Sequence, residues 1–143
     1  MARGGPPMTG RMQATAKGSF TVKLKPAIEP EVVDGVSLGR MSLDKQFEGD
    51  LAGTGQGAML TALTPVKGSA GYVAIERFTG SLHGRSGSFV FQHTGTMNQG
   101  AQSLSITVVP DSGTGTLTGI SGTFTLQIVG DRHLYEFAYE LPE

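Results

Sequence analysis

Glu76 and His93 are the two residues of this chain whose types and spacing point most directly to chemistry. They lie in two apolar-polar alternating runs, 70–82 and 86–97, separated by a Gly-rich turn. With a two-residue turn at Gly84-Arg85, His83 faces Ser86, Glu76 stands opposite His93, and Phe78 stands opposite Phe91. A three-residue turn would instead bring Gln92 opposite Glu76. On an aromatic face, a carboxylate beside an imidazole can raise its basicity, or serve as a general base lifted by burial. The same pair could equally be a cross-strand ion pair that only sets the register.

Other residues could complete a site around that pair. Tyr72 shares a face with Glu76, and Phe78, Phe89 and Phe91 alternate along the same two runs. His133, Tyr135 and Tyr139 occupy alternate positions of the last strand. Together these seven are the candidate ligand-contacting residues: hydrogen-bonding groups set on an otherwise apolar wall. The competing reading makes them barrel core or subunit interface. Metal binding would need His83, His93 and His133 to converge, and their spacing carries no metal signature. GTGTLTG at 113–119 has its third Gly one position too late for a dinucleotide loop, and no helix or Lys-Ser/Thr pair follows. There is no Gly-x-Ser-x-Gly elbow, and with no Cys there is no thiol nucleophile or disulfide. No cofactor is expected.

The elements that must hold these residues are strands. Gly is the compositional outlier at 22 of 143 residues, mixed with Thr, Ser and Val, and helical periodicity is almost absent. From Met12 to Leu24, apolar or small residues alternate with polar ones, so one face is buried and the other wet. PAIEPEVVDGVSLG at 26–39 reads as an exposed connection. Residues 39–48 and 51–63 form a hairpin around Gly49-Asp50, residues 102–109 a short strand, and residues 116–128 and 132–141 a hairpin around Gly130-Asp131. In that last hairpin Phe124 faces Phe137, Leu126 faces Tyr135, and Ile128 faces His133, which gathers the apolar residues on one side. The total is about eight strands, the number at which a closed barrel encloses side chains or one small ligand. The expectation is therefore an all-β, single antiparallel β-barrel over 12–143, with 1–11 as a flexible tail.

The charge balance is 11 Lys plus Arg against 12 Asp plus Glu, net −1, with the basic residues scattered. Nucleic-acid binding needs clustered phosphate contacts and is not expected. No apolar run approaches the roughly 18–20 residues of a membrane helix, and MARGGPPMTGR lacks the apolar core of a signal peptide. A cytoplasmic location is the expectation.

The phrases GSAGYVAIERFTGSLHGRSGSFVFQHTGTM (68–97) and VVPDSGTGTLTGISGTF (108–124) resemble a bacterial domain family of unknown function in the allene oxide cyclase-like, dirigent-like barrel superfamily, itself calycin-like in form. The second phrase is similar to the "Gly-Gly-Thr-Gly, hydrophobic, then Gly" signature of those barrels. The resemblance covers residues 12–141. It implies an antiparallel barrel with a largely apolar lumen, usually self-associating, a homodimer being favoured here. It fixes no reaction, because allene oxide cyclases steer a cyclisation whereas dirigent proteins steer radical coupling. Two functions follow as expectations. One is a small-molecule barrel, taking an apolar or aromatic metabolite with cyclase- or isomerase-like assistance from Glu76 and His93. The other is a non-catalytic carrier or interaction barrel. A lumen packed solid with Phe and Leu would defeat the first, and a wet or ligand-filled pocket touching Glu76 or His93 would favour it.

Overall fold

A computed structural model describes residues 10–143. The chain runs through β1 (Arg11–Pro26), β2 (Glu31–Val33), β3 (Val36–Gly49), β4 (Leu51–Leu63), β5 (Ala70–Leu82), β6 (Arg85–Asn98), β7 (Ala101–Val108), β8 (Ser121–Val129) and β9 (Arg132–Pro142). All sheet neighbours are antiparallel, in the order β1-β9-β8-β7-β6-β5-β4-β3, and β1 also pairs with β3. The ring of eight strands is thereby closed. Closure leaves no free sheet edge around most of the circumference. β2 is the ninth strand and flanks β3 outside the ring. Among the described residues no helix is long and apolar enough to cross a membrane.

The hairpin β8–β9 has the register that its face pattern predicts, with Phe124 opposite Phe137, Leu126 opposite Tyr135 and Ile128 opposite His133. Three local features differ from expectation. The connection at 26–39 contains β2, which turns back onto β3 through Asp34 and Gly35, both at positive φ. β1 begins at Arg11, so the expected tail falls almost wholly on residues outside those described. The strand expected from 116 begins at Ser121, because residues 109–120 do a different job.

That Gly-rich segment runs beside the start of β6. Val109 N donates to Val90 O at 2.8 Å and Thr114 N to Ser88 O at 2.8 Å. A 3-10 turn at Gly115–Leu117 then tucks Leu117 and Ile120 into the core. It plugs one end of the barrel, together with Leu51, Leu82 and Leu141. The middle of the lumen is filled by rings. Phe47 meets Phe78 edge-on at 5.5 Å, Phe89 meets Phe91 at 4.9 Å, Phe91 meets Phe124 at 5.1 Å, and Phe137 stacks on Tyr139 at 5.5 Å. Interlocked aromatic rings supply most of the buried apolar area that holds a small barrel together.

The opposite end is different. Leu24, Leu104 and Ile128 have the inward parity of their strands, yet are 44%, 45% and 61% exposed. The facing strands contribute partly buried Met41 and Met59, which are cross-strand partners, and Tyr72. Here the sheet wall is apolar but unfilled. β7 and β8 join by one residue pair, Thr107 with Thr123, so the ring is loosest beside this mouth.

Candidate functional site at the barrel mouth

Below that mouth lies a chain of four polar side chains. Its geometry begins on β4, whose inward positions 53, 55 and 57 are all glycine. The inward face of β4 is therefore bare, with Gly55 between Lys45 on β3 and Phe78 on β5, and Gly57 between Leu43 and Glu76. Long side chains from both flanking strands lie across the gap and meet. Lys45 Nζ is 3.1 Å from Glu76 Oε1, a buried ion pair. The Glu76 carboxylate occupies the place where any other residue at 55 would carry its Cβ.

The hairpin β5–β6 brings in His93, though in a register two residues away from expectation. The turn is His83-Gly84, so Leu82 faces Arg85, Glu76 faces Phe91, Phe78 faces Phe89, and His93 faces Ala74. A tight hairpin turn of this type needs positive φ at both central residues. His83 (φ 48°) and Gly84 (φ 81°) provide it, whereas a Gly84-Arg85 turn would force the second residue, Arg85, into that region. Because the slip is even, every side chain keeps its face. Glu76 and His93 are diagonal neighbours, and their side chains still meet: His93 Nε2 lies 2.9 Å from Glu76 Oε1.

Tyr72 completes the chain on the mouth side, its hydroxyl 3.3 Å from His93 Nδ1 and its ring lying over Gly95. On the opposite side the Lys45 ammonium sits 4.7 Å above the Phe20 ring and within 6 Å of Phe47 and Phe124. Rings offer a cation their negative faces, so this floor stabilises the charge at the buried end.

Burial alone would push the Glu76 carboxyl up. The hydrogen bond from His93, the nearby Lys45 charge and the hydrogen bond from Lys45 outweigh it and hold the carboxyl below its ordinary value, so Glu76 is ionised. Burial, then the Glu76 charge, push the Tyr72 phenol up, so it keeps its proton. Glu76 Oε2 is the one buried side-chain oxygen or nitrogen among the described residues with no hydrogen-bond partner. A fully buried carboxylate with a free lone pair is costly unless the surroundings hold it in place.

Of the nine residues expected at a site, Glu76, His93 and Tyr72 come together. Phe78, Phe89 and Phe91 are fully buried in the ring-packed lumen. The Tyr135 hydroxyl accepts from Leu51 N at 2.9 Å and lies 3.0 Å from Glu48 O, tying β9 to the corner between β3 and β4. Burial, first, and the Asp50 charge push its phenol up, against the Leu51 hydrogen bond. Tyr139 bonds His83 at the plugged end. His133 packs on Phe20, ring centroids 5.1 Å apart, one ring away from Lys45. Among the described residues no three His, Asp or Glu gather as a metal site.

Lys45 is the residue that sequence reasoning missed. Its signal is a charge breaking the apolar series Met41, Leu43, Lys45, Phe47, next to a strand that reads GTGQG. A lone cation of inward parity facing a bald strand needs a buried anion.

No curated protein matches the chain. A solved structure from Shewanella oneidensis MR-1, described as a protein with unknown function from the DUF3224 family, shares 50% identity with it. The alignment covers 92% of this chain and 98% of that one, with a TM-score of 0.87. Residues 16–139 match the family of proteins of unknown function DUF3224, and the chain belongs to that family.

Proposed function

We propose that this barrel binds a small apolar molecule at its open mouth, above the Lys45–Glu76–His93–Tyr72 chain, and that His93 and Glu76 give acid-base assistance to a cyclase- or isomerase-like rearrangement. The observation that carries the reading is a buried, ionised, hydrogen-bonded chain at the base of an apolar wall left unfilled. The ring-packed middle of the lumen limits the site to the mouth end. Phe78, Phe89 and Phe91 are therefore its support and not its lining, and Met41, Met59 and Leu104 take the lining role. The phrases at 68–97 and 108–124 support placing the fold with the allene oxide cyclase-like barrels, on resemblance alone.

Chemical-shift mapping of methyl groups during titration with octan-1-ol tests this reading. The expected outcome is saturable shifts at Met41, Met59 and Leu104. No shift up to the solubility limit, or shifts confined to Val73 and Ile75 on the outer wall, would refute it.

The outer wall itself favours a second reading, a non-catalytic interaction barrel that self-associates. Ala58 faces Ile75 and Leu60 faces Val73 on the solvent side of β4 and β5, and Leu60, Val73 and Ile75 are about half exposed. They line a groove of about 590 Å³ together with Arg40 and Gln92. Contiguous exposed apolar surface of this kind marks association. Under this reading Val73→Asp converts a dimer to a monomer in sedimentation, and an unchanged sedimentation coefficient rejects it.

A further inference from the structure

The hydrogen bonds of the buried chain run in one direction, and that direction selects a ligand. An ionised carboxylate only accepts, so Lys45 Nζ and His93 Nε2 each donate a hydrogen bond to Glu76 Oε1. His93 thus carries a hydrogen on Nε2, and in the neutral imidazole that leaves Nδ1 as an acceptor. The group that faces Nδ1 is the Tyr72 hydroxyl, so Tyr72 donates inward. A phenol whose single hydrogen is spent inward presents only lone pairs outward. Tyr72 is half-buried on the mouth side, and among the described residues its oxygen has no other partner.

The charge count points the same way. Lys45 and Glu76 cancel each other in direct contact, and with a neutral His93 beside them the mouth asks for no counter-charge. The surrounding wall of Met41, Met59, Leu104 and Ile128 is apolar. From the direction of the chain and this neutrality we infer that the mouth takes an uncharged apolar molecule bearing a hydroxyl group, whose O–H is donated to the oxygen of Tyr72. This rests on the mouth being a ligand site, and it names the chemical class that site prefers.

An ether or ester of the same shape has nothing to donate and would leave the Tyr72 oxygen desolvated and unpaired. A carboxylate would set lone pairs against lone pairs. A bound hydroxyl, by contrast, extends the chain by one member. Its proton can move to Tyr72 as the proton of Tyr72 moves to His93 Nδ1, which leaves an alkoxide and an imidazolium held against Glu76. No bond other than O–H and N–H changes, and no oxidant or reductant is needed.

The test is isothermal titration of the full chain with three probes of equal length: octan-1-ol, methyl heptyl ether and octanoate. The wild type is expected to bind octan-1-ol roughly threefold to tenfold more tightly than the ether, the range of one neutral hydrogen bond. Octanoate is expected to bind more weakly than both. In Tyr72→Phe the alcohol should fall to the affinity of the ether, while the ether is unchanged. Equal binding of alcohol and ether by the wild type, octanoate as the tightest probe, or an alcohol preference that survives in Tyr72→Phe would each overturn the inference while leaving the mouth as a ligand site. Failure of all three probes to bind would overturn both.

Discussion

The Cα of Gly55 lies against Oε2 of Glu76, in the space that a Cβ at position 55 would fill. One strand thus gives up its side chain so that a neighbouring strand can bury a carboxylate. The Phe47 ring closes the same space from the other side, 3.0 Å from where the Cβ would stand.

Gly55→Ala should therefore be destabilising. The added methyl meets both the carboxylate and the Phe47 ring, and overpacking of this kind costs about 1–3 kcal/mol. Urea unfolding of Gly55→Ala against the wild type measures it. A change within about 0.5 kcal/mol, the range of ordinary surface substitutions, would show that Glu76 is not fixed against β4.

Glu76 also sets an acid dependence. Its carboxyl titrates below the ordinary value of 4.5 in the folded chain. The unfolded chain therefore takes up the proton first as pH falls. The stabilisation that Glu76 provides is whole above pH 4.5 and is lost progressively as pH drops from there through the lower folded value. At neutral pH Glu76→Gln should cost about 3 kcal/mol, because it strips Lys45 of its buried counter-charge. The gap between wild type and Glu76→Gln in unfolding free energy should narrow as pH falls from 6 to 3. A gap independent of pH would contradict the buried ion pair.

Much of this is legible in the amino-acid sequence itself. The closed all-β barrel followed from Gly-bounded alternating runs, and the β8–β9 register from the agreement of turn and face. The β5–β6 register did not follow, because two adjacent dipeptides, His83-Gly84 and Gly84-Arg85, can each supply a tight turn. Choosing between them depends on whether His accepts a left-handed backbone. The error was even, so Glu76 and His93 are not cross-strand partners but keep the same face, and their side chains still meet. Lys45 was hidden for another reason. Its partner lies 31 residues away, two strands across a strip of glycines, and cross-strand reasoning reaches only adjacent strands. Ring packing in the lumen was equally out of reach, since parity places a residue inward without saying how much space is left.

His83 offers a separate check at the plugged end. Its Nδ1 bonds the Tyr139 hydroxyl, its Nε2 lies 3.4 Å from Asp50 Oδ2, and Asp50 in turn accepts from Lys17 N at 2.9 Å. The imidazole thus bonds β9 and the corner between β3 and β4 from a backbone held at φ 48°. His83→Asn should keep the turn and lose only the side-chain bonds, at about 1 kcal/mol. His83→Val should lose both, adding about 1–2 kcal/mol for a branched residue in the left-handed region. Equal destabilisation of the two variants in urea would show that the backbone of this turn is not under that constraint.

The central claim is a directional chain in which Lys45 and His93 both donate to Glu76 and Tyr72 donates to His93. The most direct measurement is the long-range proton–nitrogen correlation spectrum of the His93 ring at neutral pH. It should show a protonated Nε2 and an unprotonated, hydrogen-bonded Nδ1, with Glu76→Gln blurring that distinction. A ring protonated on Nδ1, or one averaging freely between the two forms in the wild type, would contradict the account.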